Sequence, residues 1–468
     1  MKFPAIIKSK FVPIAAISAL ALGTLIGASA IPQGVQAEKT PSKEELAKMI
    51  KEKNPEIKNV IFLIGDGMGV PYTSAHRYMK DNPRTKDIEL TEFDKHLVGM
   101  QTTHPDDPAQ NITDSASAAT AMSGGVKTYN NAIAVDNDLT EVKTVLEQAK
   151  SQGKSTGLVA TSEITHATPA SFGAHDESRK NMNQIADDYY DEMVKGSHKI
   201  DVMLGGGKSN FVRSDRDLTK LFTKDGYSYV TNRDDLMKNR NSKVLGLFAD
   251  GGMDKMIDRK KETPSLEEMT KVALNKLNSN KNGFFLMVEG SQIDWAGHDN
   301  DVVAAMSEME DFEMAFKAAI DFAKKDKHTL VVATADHSTG GFSMGAGGEY
   351  NFKVEPILAA KKTPDYMAAR IMEGMDTEKV LKDNIKLDLT QAEIDSVKAA
   401  AAKKNLTEID NAIEQIFNKR SFTGWTTSGH TGEEVQVYAF GPGKENFSGL
   451  IDNTDQAKKM FKILKENK

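Results

Sequence analysis

The sequence predicts an α/β fold with a large, mostly parallel central sheet and helices on both of its faces. The first observation is a set of short runs that are apolar throughout, as in strands buried on both faces. The runs are Asn59–Ile64, Thr156–Ala160, Val202–Leu204, Val244–Phe248, Phe284–Val288, Thr329–Thr334 and Val435–Phe440. The second observation is that helix-length segments lie between several of them, namely Glu141–Gln152, Leu266–Asn278 and Val302–Lys325. Strands that alternate with helices favour a parallel sheet.

The third observation is the position of the chemically active side chains. Asp66, Glu289 and Asp336 each lie within two residues of the end of one of the apolar runs. Ligands of such sheets bind outside the carboxyl ends of the strands. We therefore expect these three side chains to lie at the same edge of the sheet.

The chain divides into three parts by composition. Residues 1–37 have lysines at positions 2, 8 and 10, then an uncharged stretch, then small-x-small sites ending at Ala30 and Ala37, which is typical of a signal peptide. An uncleaved anchor is the alternative, because the uncharged stretch of about 21 residues could just span a bilayer. Residues 38–54 are predicted to be a charged linker with a short helix. Residues 55–468 are predicted to form a single catalytic domain with a helical insertion at about 349–419.

Composition excludes several classes of protein. Residues 1–37 contain three lysines and no acid, so the rest of the chain has 57 basic and 67 acidic residues, a formal charge of −10. A protein that binds nucleic acid or anionic lipid usually has an excess of basic residues, and this chain does not. The absence of cysteine excludes disulfides, thiolate metal ligands and a cysteine nucleophile. Export without disulfides fits a bacterial protein that is secreted or associated with the cell surface or wall.

Two segments offer a metal ligand and a nucleophile. Asp66 stands between glycines at a strand end, where a carboxylate would repel a phosphate unless a cation lies between them; an Asx turn is the alternative. Ser115 lies at the start of a predicted helix of small residues. The helix dipole and the free backbone N–H groups at a helix N-terminus stabilise negative charge, which would favour an alkoxide and a phosphoryl group there. The alternative is that Asp114 or Ser115 serves only as a helix cap.

Further candidate ligands lie in the second half of the chain. Asp294 and His298 are four residues apart, so on a helical turn both can bind one metal ion; a solvated loop is the alternative. The remaining candidates are Glu289, Asp336, His337 and His430. A lone histidine such as His430 is more often structural than a ligand. Oxygen and imidazole ligands in this number suit two or three ions, Zn²⁺ or Mg²⁺.

These segments resemble the alkaline phosphatase family. The resemblance rests on six motifs in family order: G-D-G-M-G, D-S-A-S-A-A-T, A-T-P-A with a later arginine, V-E-G-x-x-I-D, T-A-D-H-S-T-G-G and S-G-H-T-G-E-E-V. It implies a phosphate monoester hydrolase of broad specificity that releases phosphate and an alcohol through a phosphoserine on Ser115. Arg179 would bind two phosphate oxygens, and Asp114 would orient it. Homodimers are common in this family.

The resemblance also assigns the metal ligands to three ions. The assignments are Asp294, His298 and His430 for one zinc; Asp66, Asp336 and His337 for a second zinc; and Asp66, Thr168 and Glu289 for magnesium. Two positions depart from other members: His166 stands where some have Asp, and Trp295 where some have Lys or His. His166 could ligate the third ion directly or make a hydrogen bond next to it.

Two kinds of alternative function stay open on the sequence. One is a phosphodiesterase or sulfatase of the same superfamily, although the cysteine or serine setting of sulfatases, C/S-x-P-x-R, is missing around Ser115. The other is a non-catalytic surface protein that binds metal or phosphate. Such a protein would not need a hydroxyl nucleophile beside the metal ligands.

Overall fold

The structure is a computed structural model that describes residues 56–466, so the predicted signal peptide (1–37) and charged linker (38–54) lie outside the described residues. Sixteen strands lie in that range: β1 Asn59–Gly65, β2 Leu97–Thr102, β3 Ser155–Glu163, β4 Met193–Val194, β5 Ser197–His198, β6 Val202–Gly206, β7 Ser228–Val230, β8 Val244–Leu247, β9 Phe284–Gly290, β10 Thr329–Ala335, β11 Ser338–Thr339, β12 Ser343–Met344, β13 Thr423–Gly424, β14 His430–Thr431, β15 Val435–Phe440 and β16 Gly449–Asp452.

Eighteen α-helices accompany the strands: α1 Val70–Lys80, α2 Glu92–His96, α3 Ser115–Gly124, α4 Val145–Ser151, α5 Ala167–Gly173, α6 Met182–Asp191, α7 Lys208–Phe211, α8 Leu218–Lys224, α9 Arg233–Lys238, α10 Leu266–Leu277, α11 Gln292–Asp299, α12 Val302–Asp326, α13 Glu355–Leu358, α14 Pro364–Met372, α15 Thr377–Asn384, α16 Gln391–Ala402, α17 Leu406–Ser421 and α18 Thr454–Glu466. Within residues 56–466, none of them has the length and apolar character that a membrane span needs.

Ten strands form one central sheet in the order β16-β2-β15-β10-β1-β9-β3-β6-β8-β7. Within this sheet β15 is antiparallel to both of its neighbours, β10 and β2, and every other neighbouring pair is parallel. The predicted fold class, a mostly parallel sheet with helices, is therefore confirmed. All seven predicted strands are present, several of them longer by one to four residues, and Phe248 lies just beyond β8.

The sequence missed three edge or near-edge strands of the sheet. β7 has three residues, β16 is half exposed, and β2 is only partly buried. A short strand with one solvent-exposed face has neither a continuous apolar run nor enough alternating apolar positions to be recognised in the sequence.

The strands at the centre of the sheet align the predicted site residues. In the register of β1, Gly65 lies opposite Ala335 of β10 and Gly290 of β9. Asp66, Glu289 and Asp336 are therefore neighbours at the carboxyl edge, as expected. Every residue of these three strands is buried, because helices cover both faces.

The two faces of the sheet build two cores. Along β1, Ile61 and Leu63 face the core formed with α10 and α12, while Val60, Phe62 and Ile64 face the core formed with α3, α4 and α5. This alternation follows from the two-residue period of a strand. Residues 355–421 form α13 to α17, which fill most of the segment predicted as a helical insertion and extend two residues beyond it, and α17 packs on α14, α16 and α12.

Candidate active site

Ser115 is the first residue of α3 and is 2% exposed. The helix that follows consists of small residues, nine of which are buried, so the helix lies close to its neighbour α5. Asp114 is the N-cap, and its side chain accepts a hydrogen bond from the backbone N–H of Ser117. The cap is thus made by Asp114, which leaves the Ser115 hydroxyl available for another role.

The first group of candidate ligands is Asp294, His298 and His430. His298 Nε2 lies 3.3 Å from Asp294 Oδ2 and 3.2 Å from His430 Nε2. His430 Nε2 lies 3.5 Å from Asp294 Oδ1. The four-residue spacing on α11 brings Asp294 and His298 together, whereas His430 arrives from β14, which follows the helical segment. These three residues meet as the sequence predicted.

Hydrogen bonds at the other ring nitrogens fix how both imidazoles are oriented. His298 Nδ1 lies 2.6 Å from the carbonyl oxygen of Ser428, and His430 Nδ1 lies 2.8 Å from that of Thr113. A carbonyl only accepts, so each Nδ1 carries a hydrogen, and each neutral ring has its lone pair on Nε2. Both lone pairs then point to the space beside Asp294. Metal-binding histidines have this arrangement.

The pKa values reflect that convergence in the absence of an ion. The hydrogen bond with Asp294 raises the pKa of His298 to about 9. Burial lowers the pKa of His430 to about 4. Burial by itself would raise the pKa of Asp294, but the hydrogen bond from His298 and the nearby His337 hold it below its usual value. A proton on His298 therefore occupies the space that a cation would take, and metal binding would release it.

The second group surrounds the serine hydroxyl. His337 Nε2 lies 3.4 Å from Asp66 Oδ1 and 3.2 Å from Asp336 Oδ2. Ser115 Oγ lies 3.2 Å from His337 Nε2 and 3.5 Å from Asp66 Oδ1. The rings of His337 and His430 stack with centroids 3.6 Å apart, so the first and second groups adjoin.

The third group is Asp66, Glu289 and Thr168, all of them fully buried. Asp66 Oδ2, Glu289 Oε1 and Thr168 Oγ1 have no hydrogen-bond partner among residues 56–466. Burial raises the pKa of Glu289 to about 7, and burial and the neighbouring carboxylates raise that of Asp66. Buried carboxylates without donors are expected to be protonated or to bind a cation.

Arg179 lies beside these groups. Its Nη1 donates to Asp114 Oδ2 at 3.0 Å, and its Nη2 contacts His166 Nε2 at 3.1 Å. Burial, followed by the charge of Arg179, lowers the pKa of His166 to about 3, so its ring is neutral. His166 also lies close enough to Asp66 and Glu289 to share an ion with them. The predicted Asp114–Arg179 pair is therefore present.

Two residues to which the sequence gave no role support the ligands. Thr339 Oγ1 donates to Asp294 Oδ1 at 2.5 Å and lies 3.3 Å from His337 Nδ1, so one hydroxyl joins the first and second groups. Tyr72 Oη donates to the carbonyl oxygen of Thr339 at 2.7 Å. Thr339 stands within the motif T-A-D-H-S-T-G-G, but the motif itself does not indicate which neighbour it contacts.

The glycine after Asp66 is required by the close approach of the chain. Gly67 has φ +70°, and its N–H donates to Asp336 Oδ1 at 3.0 Å. A Cβ there would lie 2.7 Å from the Cα of Asp294. Any side chain would push the ligand-bearing segments apart.

Trp295 and an adjacent cleft complete the surroundings. The Trp295 ring lies edge-on to His166, with centroids 5.8 Å apart, and supplies no cation. A cleft of about 460 Å³ is lined by Thr113, Asp114, Asn130 and His430, among others.

The chain is similar to known proteins over nearly its whole length. The profile described as "Alkaline phosphatase" matches residues 57–466. The chain is 66% identical to alkaline phosphatase 3 of Bacillus subtilis (strain 168), over 100% of this chain and 98% of that protein.

Two crystal structures show the same fold. The cold-active alkaline phosphatase of the psychrophile Shewanella sp. is 40% identical, with a TM-score of 0.82 over 87% of this chain and 99% of that one. The alkaline phosphatase of the Antarctic bacterium TAB5 is 32% identical, with a TM-score of 0.65 over 88% and 100% of the two chains. This chain belongs to the alkaline phosphatase family.

Proposed function

We propose that the chain carries out the phosphate monoester hydrolysis of its family through a phosphoserine on Ser115, at a site with two zinc ions and one magnesium ion. One observation carries the proposal: within residues 56–466, the side chains in hydrogen-bond range of the buried Ser115 hydroxyl are His337 and Asp66, and both belong to a group that could hold a metal ion. A binding protein would have no need for this hydroxyl at that point.

The ligand types fit these ions. Asp294, His298 and His430 offer two imidazole nitrogens and a carboxylate, a donor set typical of catalytic zinc. Asp66, Asp336 and His337 would hold the second zinc, and the oxygens of Asp66, Thr168 and Glu289 suit magnesium. The unpartnered buried oxygens of the third group, considered within the described range 56–466, are satisfied once a cation is bound.

His166 is proposed to position Arg179. A neutral imidazole has one lone pair, and Nε2 uses it to accept from Arg179 at 3.1 Å. In that tautomer Nδ1 carries the hydrogen and does not bind a metal. The third ion would then be held by oxygen ligands.

The residues have distinct parts in the reaction. Zinc ions of a two-metal site, when bound, lower the pKa of a hydroxyl and of water and neutralise the attacking and leaving oxygens. The Ser115 oxygen forms a bond to phosphorus as the bond to the alcohol oxygen breaks, and water then cleaves the phosphoserine to release inorganic phosphate. Arg179, fixed by Asp114, binds two phosphate oxygens as a bidentate donor. The N-terminal N–H groups of the ten-residue helix α3 stabilise the same negative charge.

We infer that residues 55–468 act as one catalytic unit. The proposed ligands range along the chain from Asp66 to His430, and no shorter segment holds all three groups. We also infer export, supported by the signal-like composition of residues 1–37. N-terminal sequencing of the protein recovered from culture medium should find a cleavage after Ala30 or Ala37; recovery only of the intact chain in membranes would contradict this.

The metal dependence is tested by hydrolysis of p-nitrophenyl phosphate at alkaline pH. We expect activity to be lost after thorough treatment with EDTA and restored by Zn²⁺ together with Mg²⁺. Zn²⁺ or Mg²⁺ alone should restore less, because the groups differ in their donor atoms. Activity that survives complete removal of metal, verified by elemental analysis, would refute the proposal.

The phosphodiesterase alternative is tested with bis-p-nitrophenyl phosphate in the same preparation. We expect kcat/KM for the monoester to be higher by at least about 10³-fold, because Arg179 and the proposed ions require a doubly charged phosphoryl group. Comparable rates on the two esters would favour a diesterase.

A further inference from the structure

A buried asparagine joins the two loops on either side of the helix that begins with Ser115. Asn130 is 7% exposed and lies in the loop 125–144, which follows α3. Its backbone N–H donates to Asp107 Oδ2 at 3.0 Å. Asp107 belongs to the loop 103–114, which leads into α3. The two loops are therefore connected at this asparagine.

The side-chain amide of Asn130 uses all of its hydrogen-bonding capacity. Its oxygen accepts from the backbone N–H of Asp114 at 2.9 Å and from Ser117 Oγ at 2.8 Å. Its nitrogen donates to the carbonyl oxygen of Ile112 at 3.0 Å and to Gln110 Oε1 at 2.6 Å. Because a backbone N–H only donates and a carbonyl only accepts, the contacts with Asp114 and Ile112 fix the orientation of the amide.

These contacts hold both sides of the peptide that orients a candidate metal ligand. Asn130 binds the carbonyl of Ile112 and the N–H of Asp114, the two residues that flank Thr113. The carbonyl oxygen of Thr113 accepts from His430 Nδ1 at 2.8 Å. The direction of this carbonyl therefore sets the orientation of the His430 ring, whose Nε2 faces the first group.

The next residue extends the same support to the arginine. The N–H of Asn131 donates to Asp114 Oδ2 at 3.0 Å, and its carbonyl oxygen accepts from the backbone N–H of Arg179 at 2.8 Å. Asn131 has φ +80°, in the left-handed region where asparagine is enriched. Arg179 Nη1 donates to the same oxygen of Asp114 at 3.0 Å. Two consecutive asparagines thus reach the carboxylate that orients Arg179 and the carbonyl that orients His430.

A carboxamide at position 130 is required because it both accepts twice and donates twice. An aspartate there has the same shape and could still accept from Asp114 and Ser117, but as a carboxylate it has no hydrogen to donate. The carbonyl of Ile112 would then lose its donor and face a negatively charged oxygen. The segment that carries Thr113 would no longer be held in place.

We propose that Asn130 is a positioning residue, which holds the Thr113 carbonyl so that His430 is oriented for the first metal ion. The inference rests on the proposed function, because it takes the first group as a zinc site. Loss of the hydrogen-bond partner of a ligating histidine typically weakens metal binding by about 10–100-fold. Thr113 is that partner, and Asn130 acts on it through the chain, so we expect an effect at the lower end of this range.

The test measures Zn²⁺ binding to the full-length protein by competition with a zinc-responsive chelator at constant excess Mg²⁺. The wild type should bind two Zn²⁺ per chain. Asn130→Asp should weaken the binding of one Zn²⁺ by about 10-fold and leave the other unchanged, because the second group takes no ligand from the segments that Asn130 holds. Asn130→Ser adds no charge but leaves Ile112 without its donor, and it should weaken the same Zn²⁺.

Asn137→Asp is the matched control. Asn137 joins the same two loops, because its Oδ1 accepts from the N–H of Tyr129 and its Nδ2 donates to Asp106 Oδ2, both at 3.0 Å. Neither of these partners adjoins Thr113 in the chain. Asn137→Asp should therefore destabilise the loops but bind both Zn²⁺ like the wild type.

Turnover at saturating Zn²⁺ separates positioning from a general loss of structure. Under that condition Asn130→Asp should recover most of the wild-type kcat for p-nitrophenyl phosphate, because its defect lies in zinc affinity. A wild type that binds fewer than two Zn²⁺ would refute the proposed function itself. Two bound Zn²⁺ in the wild type with unchanged affinity in Asn130→Asp, or equal weakening in Asn137→Asp, would overturn only the positioning role, as would a kcat that Zn²⁺ does not restore.

Discussion

The two ends of the central sheet both collect charged side chains, but they differ in how these are paired: lysines and an aspartate that line the cleft at the amino end have partners, whereas several buried oxygens at the carboxyl end have none within residues 56–466. At the amino end, a cleft of about 930 Å³ is lined by Lys58, Lys150, Lys154 and Asp201, among others. Lys154 Nζ donates to the carbonyl oxygens of Lys58 and Asn282 at 2.8 and 2.6 Å, and Asp201 accepts from Lys150 at 2.7 Å.

At the carboxyl end, buried oxygens of Asp66, Thr168 and Glu289 find no donor within residues 56–466. The adjoining cleft measures about 460 Å³, half the size of the one at the amino end. Incomplete hydrogen bonding therefore indicates the functional end, and cavity size does not. The difference follows from strand polarity, because in a parallel α/β fold the helix N-termini, and the loops before them, gather at the carboxyl ends.

The largest expected effect comes from removing the hydroxyl at the carboxyl end. Ser115→Ala should lower kcat for p-nitrophenyl phosphate by at least about 10³-fold, because no other group can form the covalent intermediate. Ser117→Ala is the control, since Ser117 Oγ bonds to Asn130 at 2.8 Å and serves the helix start; it should reduce stability more than turnover. Equal losses of kcat in Ser115→Ala and Ser117→Ala would contradict the assignment of Ser115 as the nucleophile.

The next effect concerns phosphate binding at the same end. Arg179→Ala should weaken inhibition by inorganic phosphate by about 10–100-fold, the loss expected for one bidentate charged contact. The exposed neighbour Lys180 is the control, and Lys180→Ala should leave the inhibition constant unchanged. If the two variants behaved alike, Arg179 would not contact the phosphoryl group.

The free energy of unfolding of the metal-free protein should depend on pH, in part because of a histidine at the carboxyl end of the sheet. The pKa of His298 is raised from 6.5 to about 9 by Asp294, so its stabilising contribution is complete below pH 6.5 and lost as the pH rises through 9. We expect the free energy of unfolding of EDTA-treated protein to fall by about 1–2 kcal/mol across that window, allowing for the partial exposure of the ring. The contribution of His430, with a pKa of about 4, changes only at lower pH.

Urea unfolding at several pH values measures this slope. His298→Asn should remove the part of the slope that His298 contributes, and loading with Zn²⁺ should remove the same part, because the ion replaces the proton. A slope unchanged in the variant would show that His298 is not paired with Asp294 in solution.

The smallest effect is expected at the amino end. Lys154→Met should lower the free energy of unfolding by about 1–2 kcal/mol, because the two carbonyl oxygens lose their donor. It should leave kcat unchanged. The exposed Lys281 lines the same cleft and provides the control, since Lys281→Met should change neither quantity. A loss of activity in Lys154→Met would contradict the view that this end is structural.

Much of the site could be predicted because its parts sit in local patterns. Apolar runs that end in Asp or Glu located Asp66, Glu289 and Asp336, and the four-residue spacing indicated Asp294 with His298. By contrast, local pattern could not separate capping from catalysis at α3, since Asp114 and Ser115 are both good caps. Only the contacts of Ser115 with His337 and Asp66 made that distinction.

Other features were not predictable from local sequence. Arg179 was selected only through the family resemblance. Its Nη1 and Nη2 atoms contact Asp114 and His166, which precede α3 and α5, so these contacts depend on the packing of the two helices. Nothing in the local sequence indicates that Thr339 contacts Asp294 and His337. Asp410 and Glu414 are buried on α17, and the local sequence does not indicate which face of that helix is covered.

The sequence by itself determined seven of the ten strands of the central sheet, the polar residues at their ends and the family to which the chain belongs. These depend on short-range periodicity and on motifs, which are properties of neighbouring residues. The tertiary structure alone decided which carboxylates are buried without donors, which imidazole nitrogens face one another, and which serine adjoins the ligands. Those properties arise from contacts between segments as distant as Asp66 and His430, and such contacts exist only after the sheet and its helices have assembled.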